Sequence, residues 1–139
     1  MKTINITLLF NGETEAAFNF YKSVFGGEFL HVQRMKDIPG DHPLPPAEAE
    51  KILHIALPVG SAVLQGMDVP PVMPPAKFGD NFMASVETSS EEETTRLFNG
   101  LAEGGKITMA LDHQFWGAYF GMLTDKFGIQ WMLGYTKEA

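Results

Sequence analysis

The 139-residue sequence predicts an α+β fold built from two consecutive βαβββ modules. Each half of the chain begins with a short apolar run followed by a helical pattern, and three further strand-like runs come after the helix. A Gly-Gly pair ends each helical pattern, at 26–27 and at 104–105, and these pairs lie 78 residues apart. Phe20 and Phe98 have the same spacing. Internal duplication therefore organises the chain.

The first module is predicted at residues 1–67. The turn pair Asn11-Gly12 closes its first strand, and Gly26-Gly27 ends its helix. Residues 36–51 contain four prolines and predict a long loop with at most a short helical turn. The predicted elements are a strand at 4–10, a helix at 13–25, a strand at 28–35 and a hairpin of strands at 52–59 and 62–67 that turns on Gly60-Ser61.

A proline-rich linker at 68–80 is predicted to precede the second module, at 81–139. Ser89-Ser90 followed by three glutamates is typical of a helix start. The predicted elements are a strand at 82–87, a helix at 91–102, and strands at 106–111, 118–123 and 129–135. Two such modules form one curved mixed sheet with the helices on its outer face, and we expect a small ligand in the concave trough between the modules.

The composition excludes several classes of function. The absence of cysteine excludes disulfides, thiol catalysis and thiolate metal sites. With 10 Lys and Arg against 17 Asp and Glu, the net charge of −7 argues against nucleic acid and anionic membranes as partners. The sequence has no apolar run of about 18 residues, so no transmembrane helix is expected. The N-terminal segment resembles a strand more than a signal peptide, which predicts a cytoplasmic protein.

His54 is the most informative polar residue of the first half. Alternation along its strand places Leu53, Ile55 and Leu57 on one face and His54 with Ala56 on the other. If the leucine face packs on the helix, His54 points into the trough. It is then either a core histidine whose hydrogen bond is satisfied by one neighbour or a ligand or proton-transfer contact. His31 and His42 have no comparable motif around them.

Residues 112–117 are predicted to connect two strands of the second half, and they bring together an acid, an imidazole, an amide and an indole. Asp112 beside His113 is consistent with an orienting acid and a base, or with a plain polar turn. Trp116 followed by Gly117 is consistent with the wall or lid of an apolar pocket, or with a core position.

Three segments carry a resemblance to a known family: EAAFNFYKSVFGGEF, HIALPVGSAVLQGMD, and LAEGGKITMAL with the later FWGAYFGMLTDKFGIQWML. They resemble the PhnB-like branch of the vicinal oxygen chelate superfamily, which includes glyoxalase I, extradiol dioxygenases, fosfomycin-resistance enzymes and bleomycin-binding proteins. The resemblance covers essentially the whole chain. It implies the paired βαβββ arrangement, the glyoxalase/bleomycin resistance fold, and a homodimer. Proteins of this branch are often labelled 3-demethylubiquinone-9 3-methyltransferase, but the sequence has no glycine-rich strand–loop–helix for S-adenosylmethionine.

The resemblance also locates the positions at which superfamily enzymes hold their metal. These positions fall at Ile6, at Leu64 or Gln65, at Asn81 and at Met132. None is a histidine or a carboxylate, and amide and apolar side chains alone do not hold a divalent ion. We therefore expect no metal at these positions and no cofactor.

Two functions from different classes remain. The first is a metal-independent protein that binds a small apolar or aromatic molecule, as bleomycin-binding proteins do. The second is a glyoxalase- or dioxygenase-like enzyme, with a displaced metal or with His54 and His113 as acid–base partners. We favour the first because the residue types of the superfamily chemistry are missing. The predicted wall of the binding site consists of His54, Gln65, Trp116, Tyr119, Phe120, Gln130 and Met132.

Overall fold

The structure, a computed structural model, describes residues 1–40 and 44–137, so His42 of the proline-rich loop lies outside the described part. The chain divides into two compact units, Met1–Ala76 and Lys77–Ala139. In the described part of both units, no helix is long and apolar enough to cross a membrane.

The first unit is a four-stranded sheet with one long helix. Its strand order is β1-β4-β3-β2, with β1 parallel to β4 and the other pairs antiparallel. The predicted hairpin on Gly60-Ser61 is confirmed, and Gly60 takes the positive φ of 58° that this turn requires. The elements are β1 (Thr7–Phe10), α1 (Thr14–Phe25), β2 (His31–Arg34), a 3₁₀ turn at Met35–Asp37, α2 (Pro46–Ala49), β3 (Ile52–Val59) and β4 (Ala62–Asp68).

The second unit repeats this topology. Its strand order is β5-β8-β7-β6, again with the first strand parallel to its neighbour. The predicted α+β class and the two βαβββ modules are therefore confirmed. The elements are β5 (Ala84–Glu87), α3 (Glu91–Ala102), β6 (Lys106–His113), β7 (Ala118–Thr124) and β8 (Gln130–Thr136).

The buried residues of the two helices correct the register of the repeat. In α1 they are Thr14, Ala17, Phe18 and Tyr21, and in α3 they are Thr94, Leu97, Phe98 and Leu101. Each residue of the first set has its counterpart 80 positions later, so Phe98 corresponds to Phe18. The predicted pairing with Phe20, based on the 78-residue spacing of the Gly-Gly pairs, is wrong. The row of buried residues starts at the first residue of α1 but about one turn into α3. The positions of the helix ends alone do not reveal that shift.

A glycine of each sheet lets the helix phenylalanine lie directly against the strand. A Cβ atom on Gly66 would be 2.3 Å from Cε1 of Phe18, and one on Gly121 would be 2.7 Å from Cε2 of Phe98. Any side chain at these two positions would therefore collide with a buried ring. Each helix thus covers one face of the sheet in its own unit, and the opposite face is called the helix-free face below.

Asp68, which the sequence assigned to the linker, is the last residue of β4 and is buried. Its Oδ1 accepts hydrogen bonds from the Thr14 hydroxyl at 2.6 Å and from the backbone N–H groups of Gly12 and Thr14, at 2.9 and 3.2 Å. Its Oδ2 accepts from the Ile52 N–H at 2.8 Å. One carboxylate therefore joins the start of α1 and the start of β3 to the end of β4.

Arg34, at the end of β2, joins α1 to the segment before β3. Its guanidinium donates hydrogen bonds to both carboxylate oxygens of Glu15 and, at 2.8 Å, to the backbone oxygen of Glu50. Hydrogen bonding to Arg34 holds the pKa of Glu15 below its ordinary value, and the same contact raises the pKa of Arg34.

Glu15→Gln is expected to lower the free energy of unfolding by less than about 1 kcal/mol near neutral pH, since both side chains are accessible to solvent. Because folding lowers the pKa of Glu15, this contribution is fully present above the ordinary value of 4.5 and is lost as the pH falls below it. Urea unfolding of the native protein and the variant, near neutrality and at about pH 3, measures the difference. A difference that grows on acidification would contradict the assignment.

Candidate functional site

The helix-free face of the first unit carries the predicted residues His54 and Gln65. Ile55 and Leu57 are buried on the helix side, so alternation turns His54 away from the helix as predicted. Leu53 is only half-buried, and Ile52 is buried in its place, because the β2–β3 register shifts by one residue there. By strand register, the helix-free face consists of Thr7, Leu9, His31, Gln33, His54, Ala56, Pro58, Val63, Gln65 and Met67.

His54 and Gln65 are in contact. Nε2 of His54 lies 3.2 Å from Oε1 of Gln65, and the imidazole of His31 lies 5.1 Å from that of His54, centroid to centroid. His54 is half-buried, so it is neither a core histidine nor a fully solvated one. The structure thus gives His31 a context that its sequence neighbours do not indicate.

The helix-free face of the second unit carries an apolar patch, bordered by the polar residues Ser85, Asp112 and Gln130. Register along β7 and β8 places Phe120, Met122 and Met132 on it, and all three are half-buried. The ring of Trp116 lies 5.8 Å from that of Phe120 in an edge-to-face arrangement. Met122 is not in the predicted wall of the binding site, although it lies two residues after Phe120 and therefore on the same face.

Trp116 is at the tip of the β6–β7 hairpin. A turn over residues 114–117 closes it through hydrogen bonds from Gly117 N–H to Gln114 O and from Gln114 N–H to Ala118 O. Trp116 is 52% exposed, which rules out the core alternative, and the neighbouring Phe115 is 98% exposed. The indole therefore extends the apolar face from Phe120 towards solvent.

Gln130 is also on this face, but its amide nitrogen is already engaged. It donates hydrogen bonds to the backbone oxygens of Gly79 and Phe82, at 2.9 and 3.2 Å. The side chain thereby holds the segment that leads into β5.

Tyr119 and His113 are on the other, helix-covered side of their sheet. The Tyr119 hydroxyl lies 3.2 Å from the Thr95 hydroxyl on α3, and the rings of Tyr119 and His113 are 4.8 Å apart. Nε2 of His113 lies 2.7 Å from a carboxylate oxygen of Glu91 at the start of α3. The predicted grouping of Tyr119 with Phe120 is therefore wrong, because neighbouring strand residues face opposite ways.

Asp112 and His113 are strand residues and not part of the predicted turn. They pair with Phe120 and Tyr119 as the last rungs of the β6–β7 ladder. The Asp112 carboxylate accepts from the backbone N–H of His113, so it does not orient the imidazole. Polar residue types suggested a turn, but the edge position of β6 exposes the end of that strand to solvent and permits polar side chains there.

Strand register also refines the four metal positions that the resemblance implied. Thr7 pairs with Gln65, and Ser85 pairs with Met132, so Thr7 and Ser85 replace Ile6 and Asn81 in the set. Two hydroxyls, one amide and one thioether do not fit a divalent metal of superfamily enzymes. Within residues 1–40 and 44–137, no three His, Asp or Glu side chains form a cluster that could hold a metal.

Comparison with known families agrees with this architecture. The family model described as "Glyoxalase/Bleomycin resistance protein/Dioxygenase superfamily" matches residues 3–133, nearly the whole chain. The protein belongs to the glyoxalase/bleomycin resistance protein/dioxygenase superfamily. Its two βαβββ units and their strand orders are the fold of that superfamily.

Three relatives of this superfamily member span nearly its full length. The crystal structure of protein PA1353 from Pseudomonas aeruginosa is 36% identical, with a TM-score of 0.82, and the match covers 98% of this chain and 100% of that one. A Bacillus cereus structure, described as a putative 3-demethylubiquinone-9 3-methyltransferase, PhnB protein, is 28% identical with a TM-score of 0.77, covering 97% and 100%. Protein YjdN of Escherichia coli K12 is 29% identical over 137 residues, covering 94% of this chain and 93% of YjdN.

Proposed function

We propose that this superfamily member binds a small apolar or aromatic molecule and does so without the superfamily metal. The observation that carries the proposal is the apolar patch on the helix-free face of the second unit, formed by Trp116, Phe120, Met122 and Met132. Aromatic rings supply large contact areas, and thioethers adapt to ligands of different shape. Bleomycin resistance proteins in the same superfamily support a binding role.

Each unit also offers polar groups on its own helix-free face. His54 and Gln65 offer hydrogen-bonding groups on the helix-free face of the first unit, and Gln130 offers its remaining amide oxygen on that of the second. A few hydrogen-bonding groups among apolar ones are typical of small-molecule sites. The proposal further assigns the protein to the cytoplasm and to a homodimer. Native mass spectrometry of tag-free protein tests the homodimer and detects any co-purified ligand.

The enzymatic alternative gains no support from the placement of its two imidazoles. His113 is held by Glu91 on the helix-covered side of its sheet, whereas His54 is on a helix-free face. We also do not extend the methyltransferase wording of the Bacillus cereus protein to this chain. The connections from β1 to α1, residues 11–13, and from β5 to α3, residues 88–90, contain one glycine between them, and a dinucleotide-type loop needs several.

Binding of Nile red, a neutral aromatic dye, tests the proposal by fluorescence titration, followed by a panel of neutral polycyclic compounds. Trp116→Ala and Met132→Ala are each expected to weaken binding by about tenfold, equivalent to about 1.4 kcal/mol. Tyr119→Phe is the matched control, because Tyr119 is on the same strand as Phe120 but faces the helix. An equal loss in all three variants, or no saturable binding by the native protein, would contradict the proposal.

A further inference from the structure

Two imidazoles meet on the helix-free face of the first unit, outside the four superfamily metal positions. His31 pairs with Ala56 and His54 pairs with Gln33, so the two histidines are diagonal neighbours on adjacent antiparallel strands. Their ring centroids are 5.1 Å apart, with an angle of 52° between the ring planes. Ala56, between them, contributes only a methyl group and is 5% exposed. No bulky side chain of the ladder therefore separates the two rings.

Gln65 pairs with one of these imidazoles. Oε1 of Gln65 faces Nε2 of His54 at 3.2 Å, and an acceptor in this position favours the tautomer in which Nε2 donates and Nδ1 keeps its lone pair. Metal-binding histidines typically donate their second ring N–H to an oxygen in this manner, which orients the ring and raises its basicity. Gln65 therefore acts as a positioning residue for His54.

The chemistry of the surrounding face selects the kind of cation. Among the residues that the structure describes, the neighbours of the two imidazoles on this face are Gln33, Pro58, Gln65 and Met67, and none carries a carboxylate. Within this described set, oxygen-seeking ions such as Mg²⁺ and Ca²⁺ find no anionic ligand, whereas imidazole nitrogen suits Cu²⁺, Ni²⁺ and Zn²⁺.

We propose that His31 and His54 together bind one divalent transition-metal ion, with Cu²⁺ preferred over Ni²⁺ and Zn²⁺ as expected for nitrogen ligands. The proposal goes beyond the binding function above and does not depend on it, since no organic ligand is needed. Water completes the coordination, because each imidazole supplies a single nitrogen. His31 is exposed, so the ion reaches the pair directly from solvent.

The test is titration of the full-length, tag-free protein with CuCl₂ by calorimetry, with electron paramagnetic resonance of the loaded protein. The native protein is expected to bind one Cu²⁺ with a dissociation constant of about 1–10 μM, and its spectrum should show coupling to two nitrogens. His31→Ala and His54→Ala should each weaken binding by about tenfold or more and leave one coupled nitrogen. His113→Ala is the matched control and should bind as the native protein does.

The role of Gln65 is tested separately. Gln65→Leu should weaken Cu²⁺ binding by about threefold to tenfold while the two-nitrogen spectrum is kept, and Gln65→Glu, which retains an acceptor for the N–H of His54, should restore the affinity. Native-like binding by His31→Ala or His54→Ala, or a native spectrum with fewer than two coupled nitrogens, would overturn the site. Circular dichroism spectra matching that of the native protein establish that each variant is folded.

Discussion

Asp68→Ala is expected to lower the free energy of unfolding by about 3–5 kcal/mol. The substitution leaves four donors without their acceptor: the N–H groups of Gly12, Thr14 and Ile52 and the hydroxyl of Thr14. Asp68 and Thr14 are both fully enclosed, so water cannot replace the lost carboxylate without entering the core. Because these donors belong to the starts of α1 and β3, the loss affects most of the first unit.

Two variants separate this effect from the removal of a charge. Asp68→Asn keeps one acceptor oxygen but places an N–H₂ group near the other donors, so it should cost about half as much as alanine. Asp112→Ala removes an exposed carboxylate that accepts only from its neighbour His113, and should cost less than about 0.5 kcal/mol.

Guanidinium unfolding monitored by two probes separates the response of the first unit from that of the second. Both tryptophans, Trp116 and Trp131, are in the second unit, whereas far-ultraviolet circular dichroism reports on both units. If the whole chain unfolds cooperatively, Asp68→Ala shifts both transitions equally; if the units unfold separately, only the dichroism curve gains an early phase. A loss below about 1 kcal/mol in the dichroism transition of the first unit would contradict a buried carboxylate with four donors.

Local signals in the sequence were sufficient for most of the fold. Strand β3 and helices α1 and α3 follow the predicted limits closely, because Gly60, Gly26 and Gly104 end the patterns and take positive φ angles. Strand alternation alone also predicted, without tertiary information, that His54 and the pair Ile55 and Leu57 lie on opposite faces of the sheet.

The candidate site depends on tertiary contacts that the spacing of residues in the sequence does not predict. Alternation shows that Tyr119 and Phe120 face opposite ways, but not which of them faces the helix; that follows from the packing of Phe98 on Gly121. The position of His113 follows from its contact with Glu91, which is 22 residues away on another element. That of His31 follows from its contact with His54 on the next strand. Asp68 is the extreme case, because its partners lie up to 56 residues earlier in the chain.

The second unit contains its own buried carboxylate, Asp125, at the turn before β8. Its Oδ1 accepts from the N–H groups of Phe127 and Ile129 at 2.8 and 3.0 Å, and its Oδ2 accepts from the indole N–H of Trp131 at 2.8 Å. Asp125→Ala is expected to lower the free energy of unfolding by about 2–4 kcal/mol. The turn and the core indole would lose a common acceptor, so both the β7–β8 connection and the packing under α3 are affected.

A double-mutant cycle assigns the part of this loss that belongs to the indole. Trp131→Phe removes the donor to Oδ2 while retaining a buried ring, and Asp125→Asn retains an oxygen for the turn amides but replaces one acceptor by an N–H₂ group. Trp131→Phe removes the indole donor from Oδ2, and Asp125→Asn places an N–H₂ group against the indole N–H, whereas the double variant removes this N–H to N–H₂ conflict. The double variant should therefore be more stable than the sum of the single losses predicts, by about 1–2 kcal/mol, measured by circular dichroism in guanidinium. Strict additivity would mean that the contact between Asp125 and Trp131 contributes nothing to stability, and that the carboxylate acts on the turn alone.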